Sequence, residues 1–204
     1  MSAVAHIVAE TYFDGLVISD YISGMSKNRE LFEENYRNFT LDPEQIECLR
    51  EIERPVRVLA LAEDWCGDVV RYLPAMARMA EAAGWDLRVF YRDHNLHLAD
   101  AWLKEGLHRA IPVFVLFDQG WNELAHFIEK PPEVYAAEAE ARARFADQHP
   151  ELEDAALLPA QMSQPTLDVY TPYIRAFRAE HNLEWQRLFA RHIMRALGSA
   201  ALCA

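Results

Sequence analysis

The sequence predicts an α/β fold, and three observations carry that prediction. Val56 to Ala62, interrupted only by Arg57, is a short apolar run of the kind a buried strand shows. A helix-like stretch and a second strand-like run, Asp86 to Tyr91, follow it and complete a strand–helix–strand unit. Two further runs, Val113 to Phe117 and Asn122 to Ile128, flank Asp118-Gln119-Gly120, which is turn material and makes them an adjoining antiparallel pair.

The elements can be taken in order. Val8, Tyr12, Leu16 and Ser19, then Leu31, Asn35 and Phe39, recur at three-to-four spacing, so the first fifty residues read as helices. Asp42-Pro43-Glu44 offers an N-cap, a proline at the first helical position and a carboxylate in the first turn, which predicts a helix from Pro43 to about Glu53. After the first strand a helix is expected from about Asp68 to Ala83 with Gly84 as its stop, and Asn95 to Gly106 reads as another. Lys130-Pro131-Pro132 halts the last strand before a strongly helical Glu133 to Gln148. Leu167 to Leu197 reads as a long helix broken near Pro172, with Gly198 as its stop. The expected organisation is a helical extension over 1–54, an α/β core over 55–149, and a connection with helical extension over 150–204.

Composition narrows the function. At 204 residues, with 51% apolar and 25% charged residues, one core suffices without metal or disulfide support. The net charge of −12 lacks any Lys/Arg cluster, which argues against nucleic acid and anionic membrane as partners. No signal-peptide pattern or membrane span is read in the sequence, and Cys48, Cys66 and Cys203 form no short-range pairs, so a cytoplasmic protein is the expectation.

The most informative residues are Glu63-Asp64-Trp65-Cys66-Gly67-Asp68, at the joint between the first strand and its helix. A thiol at a helix N-terminus faces unpaired backbone N–H groups and the positive end of the helix dipole, both of which favour thiolate. Glu63, Asp64 and Asp68 are like charges nearby and oppose it. Trp65-Cys66-Gly67 after a strand resembles the thioredoxin active-site turn, and the order of elements from Val56 to Gln148 resembles the thioredoxin fold: a central mixed sheet of about four strands flanked by helices. Within that superfamily the chain is similar to bacterial proteins with a helical N-terminal extension, a Trp-Cys-Gly-Asp turn, an Arg-Asp pair ending a strand (Arg92-Asp93) and an Ile-Pro pair opening another (Ile111-Pro112).

The resemblance implies a second cysteine at position 69 and a buried acid at position 60, where this chain has Val69 and Ala60. It also implies a cis bond at Ile111-Pro112, packed against the cysteine turn at a strand edge able to hold an extended peptide. The candidate catalytic residues are therefore Cys66, with Asp68 and Glu63, or Asp64 in place of the missing acid. The candidate binding residues are Trp65, Gly67, Tyr72, Ile111 and Pro112, with Trp65 and Tyr72 reading equally well as packing residues. Glu63 and Asp64 also read as solvated residues at a strand end, and Cys66 as a small buried hydrophobe. His94, His97 and Asp100 share a spacing compatible with zinc but also with a surface helix start, so no metal or cofactor is expected. A thiol without a second cysteine can form a mixed disulfide with a small thiol or protein partner. The alternative is a redox-inert module that binds a partner peptide. In either case the helical additions offer a surface for a homodimer.

Overall fold

A computed structural model describes residues 8–50, 52 and 56–198. The described chain forms two compact units, one comprising the described residues up to Lys130 together with 186–198, the other Pro131–Trp185. These cut the chain at different places from the three segments read in the sequence. Among the described residues no helix is long and apolar enough to cross a membrane.

The first unit is a mixed four-stranded sheet with flanking helices. Its strands are β1 (Arg57–Ala62), β2 (Asp86–Tyr91), β3 (Val113–Phe117) and β4 (Glu123–Ile128), in the order β2-β1-β3-β4. β1 runs parallel to β2 with Ala62 opposite Tyr91, and antiparallel to β3 with Leu61 opposite Val113. β3 and β4 are antiparallel, joined by a turn in which Asp118 accepts the N–H groups of Gly120 and Asn122. Because β1 and β2 end where β3 begins, the segments after Ala62, after Tyr91 and before Val113 converge at one end of the sheet. β1 and β3 lie inside the sheet and are buried almost throughout, which is why their sequences are apolar runs, broken only by Arg57 at the half-buried start of β1.

N-terminal to the sheet lie α1 (Ile18–Gly24), α2 (Arg29–Asn38) and α3 (Pro43–Arg50). The chain before α1 seals the open edge of β2: Leu16 exchanges both backbone hydrogen bonds with Val89, at 2.9 and 2.8 Å. Gly15 permits that approach, since a Cβ there would stand 2.5 Å from the Phe90 ring and 2.9 Å from the Arg88 Cβ. The Tyr12 hydroxyl donates to the carbonyls of Asp86 and Val58 beneath it.

α4 (Gly67–Ala83) carries Pro74 in its interior and ends on Gly84 in the left-handed conformation, φ 70°. Pro74 has no N–H, so the Val70 carbonyl loses its intrahelical donor in a buried part of the helix. Asn35 of α2 supplies the replacement, donating from Nδ2 at 2.8 Å. The adjacent Arg71 carbonyl accepts Gln186 Nε2 at 2.9 Å, from α8 (Asn182–Ala196). Further along α8, Phe189 packs on Tyr72, Phe114 and Phe127.

Two segments differ from the sequence-based expectation. Only Leu96–Ala99 (α5) is helical within 95–106. The chain then turns through Glu105 and Gly106, both at positive φ, and Lys104 forms a bridge with His108. The break expected at Pro172 falls instead at His181, between α7 (Gln164–Glu180) and α8. Pro172 is tolerated inside α7 because Asp168, whose carbonyl it orphans, is exposed and can be served by water.

In the second unit, α6 (Pro132–Gln148) and α7 share a core of Ala141, Phe145, Ala155, Met162, Tyr170 and Ile174. Asp154 accepts the Ser163 N–H and the Thr166 hydroxyl at the start of α7.

Replacing Asn35 with leucine strands the buried Val70 carbonyl, so the variant should lose about 1–3 kcal/mol in denaturant unfolding. The cost of Asn35→Leu should shrink in a Pro74→Ala background, where position 74 regains its donor.

Candidate functional site

The converging loops bring Cys66, Arg92-Asp93 and Ile111-Pro112 together. Cys66 is the N-cap residue of α4 and is partly buried. Its Sγ lies 3.6 Å from the Ile111 carbonyl oxygen, to which the thiol donates. The Ile111–Pro112 peptide bond is cis. Pro112 does not open a sheet edge as the sequence suggested, because β3 lies between β1 and β4. Its carbonyl is already taken by the Glu129 N–H at 2.7 Å.

The charge balance at the sulfur runs against the simple helix-terminus expectation. Burial is the largest influence and pushes the Cys66 thiol above its ordinary value of 9.0. The carboxylates of Asp68 and Glu129 add to that rise, while the N–H groups of Val69 and Asp68 oppose it without overcoming it. Even at the ordinary value only about 1% of a thiol is ionised at neutral pH, so Cys66 rests as a protonated donor to Ile111.

Glu63 and Asp64, which also read as solvated in the sequence, are each only 8% exposed and fully engaged. The Glu63 carboxylate accepts the Asp93 N–H at 2.8 Å and ties the ends of β1 and β2 together. Asp64 Oδ2 accepts the N–H groups of Ser26 and Lys27 at 2.7 and 2.9 Å and the Ser26 hydroxyl at 3.0 Å, and its backbone carbonyl accepts Asn28 Nδ2. Burial raises the Asp64 pKa, but these donors outweigh it and leave the carboxyl below its ordinary 3.8. Both acids are structural ties. Beside them the Tyr21 hydroxyl is buried without a hydrogen-bond partner, and burial and the neighbouring charges push its pKa up.

The remaining candidates fall in different places. Trp65 is 46% exposed, with the Arg92 guanidinium 5.3 Å from its ring. Arg92 also binds Asp93 and the Arg109 carbonyl. Gly67 is exposed, with open space where a Cβ would stand, so packing does not demand glycine there. Tyr72 was expected beside a bound partner but is fully buried against Phe189 and offers no surface. Asp68 is paired with Arg71 at 2.9 Å and Lys130 at 3.5 Å. Asp100 is held by Arg109, and the His94 ring lies 6.0 Å from that of Tyr91. Val69 and Ala60, at the positions of the missing cysteine and acid, are both buried. Cys48 is disulfide-bonded, and Cys66 is the free cysteine among the described residues. Sequence reasoning missed Lys104, Glu129 and Lys130 as neighbours of the turn. They lie far from Cys66 in the chain and read only as a helix and a strand stop.

Residues 15–144 match the family described as Thioredoxin, and the chain belongs to that family. Among solved structures it resembles a protein of unknown function from Pseudomonas aeruginosa, with a TM-score of 0.56 and 23% identity over 69% of this chain and 88% of that one. It also resembles an HIV epitope scaffold, with a TM-score of 0.57 and 18% identity over 95% of this chain and 98% of that one. At these identities the likeness shows the fold. No curated protein matches the chain.

Because the folded-state pKa of Asp64 is depressed, its contribution to stability is present above the ordinary carboxylate value and is lost as pH falls through the folded one. Asp64→Ala should therefore cost about 1–3 kcal/mol at neutral pH. In thermal melts taken down through pH 3.8, its deficit relative to the parent should narrow.

Proposed function

We propose that this protein is a thioredoxin-fold monothiol in which Cys66 exchanges with the disulfide of a small molecule or protein partner. In the exchange the Cys66 thiolate attacks one partner sulfur, a new S–S bond forms, the old one breaks, and the second partner sulfur leaves as thiolate. The observation that carries this reading is a partly exposed free thiol at the head of α4, 3.6 Å from the Ile111 carbonyl at the mouth of the converging loops. Trp65 stands beside it as an exposed aromatic platform, and Gly67 leaves space for the approach of a partner.

With Val69 in place of a second thiol and Cys48 already bonded, an external thiol must release the adduct. A cytoplasmic setting, rich in small thiols, belongs to this reading. The partner is a small thiol or a protein rather than nucleic acid or membrane, and the helical additions provide a surface for a homodimer.

The raised Cys66 pKa favours a second reading, a redox-inert module that binds a partner segment at the same mouth. Mass spectrometry of protein isolated with its thiols trapped separates the two. The monothiol reading expects an adduct on Cys66 that is absent in Cys66→Ser, together with no reduction of insulin disulfides. Partners retained by Cys66→Ser under reducing conditions, with no adduct on the parent, would establish the binding module instead.

A further inference from the structure

Taking the Cys66 thiol chemistry proposed above as the site's reaction, we propose that Glu129 is a positioning residue that lowers the acidity of Cys66, with Lys104 and Lys130 as the counter-charges that moderate it. Glu129 follows β4 and sits in the left-handed region, φ 66°, which a non-glycine side chain seldom adopts and which recurs at functional sites. Its N–H donates to Pro112, whose neighbour Ile111 accepts the thiol, so two successive hydrogen bonds link its backbone to Cys66.

Lys104, Glu129, Lys130, Asp68 and Arg71 form one connected cluster of charge. Lys104 Nζ holds a Glu129 oxygen at 2.6 Å, and Lys130 Nζ stands 4.0 Å from the other. The same Lys130 nitrogen is 3.5 Å from Asp68, which Arg71 holds on its far side at 2.9 Å. Lys130 is only 8% exposed, so its charge is weakly screened. From α1 the Tyr21 hydroxyl faces the turn but stays neutral, while Glu63 and Asp64 are occupied by Asp93 and by the Ser26–Lys27 segment.

The two carboxylates differ in how they can be altered. Asp68 is gripped by a buried arginine and a buried lysine within the first turn of α4. Glu129 is paired most closely with Lys104, whose side chain is 30% exposed, so this arm can be changed without opening the core. A negative charge beside a thiol disfavours ionisation, and a cation pairing with that charge relieves the effect. Removing Glu129 and removing Lys104 should therefore move the acidity of Cys66 in opposite directions.

The test is alkylation of Cys66 by iodoacetamide across a pH series, read by mass spectrometry of the Cys66 peptide with Cys66→Ser as blank. An S–C bond forms, iodide leaves, and the thiol proton passes to solvent. Glu129→Gln should react roughly three- to tenfold faster than the parent at neutral pH, with its profile displaced to lower pH. Lys104→Met, at a part-exposed position, should react more slowly with its profile displaced upward. Loosened packing would speed both variants without displacing either profile. If Lys104→Met keeps the parent profile, or the two variants move the same way, the role of Glu129 is overturned. Alkylation needs no disulfide partner, so opposite displacements in a protein that never forms a mixed disulfide would remove the proposed exchange and leave the role of Glu129 standing.

Discussion

A single missing hydrogen-bond donor organises much of the first unit. Pro74 lies in the middle of α4, the helix that carries Cys66 at its head, and leaves the Val70 carbonyl without an intrahelical partner where water cannot reach it. An orphaned buried carbonyl is expensive, so the fold must bring a donor to it. Asn35 does so from α2, and Gln186 serves the neighbouring Arg71 carbonyl from α8. Asn35 thereby ties α2 to the helix that presents the thiol, and Gln186 adds a contact to the same helix from α8. Pro172 in α7 shows the contrast, because its orphaned carbonyl belongs to an exposed residue and no side chain is recruited.

The extension is also fastened to the turn itself. Asp64 takes three donors from Ser26 and Lys27, Glu63 takes one from Asp93, and Leu16 closes the edge of β2. Two acids beside the cysteine are thus used to shape the loop rather than to move a proton. Asp68 and Glu129 remain to act on the sulfur, and with burial they hold it as a thiol. The usual helix-terminus argument fails here because two backbone donors compete with desolvation and two nearby carboxylates.

Much of the architecture was legible in the chain. Interior strands lack a solvent face, so β1 and β3 appear as apolar runs rather than in alternation, with Arg57 the one charged residue in the two strands. Gly84 marks a helix end that needs positive φ. The 95–106 segment misled because Leu98, Ala99 and Trp102 are all buried and mimic helical spacing, while the turn at Glu105 and Gly106 shortens the helix to four residues. Tyr72 misled in a different way. It is near the thiol in sequence, but the face of α4 it occupies is the one that packs on Phe189.

Local sequence determined the strand–helix joint and the position of Cys66 on it, because strand periodicity, helix caps and turn residues act over a few positions along the chain. It also showed what the joint lacks, since Val69 and Ala60 can be read directly. Only the tertiary structure decided the chemistry available there. The acidity of the sulfur depends on how deeply it is buried and on charges such as Glu129 and Lys130, and the roles of Glu63 and Asp64 depend on donors from Asp93, Ser26 and Lys27. Burial and Coulomb interactions depend on distance in space, and no spacing along the chain encodes a separation that folding alone creates.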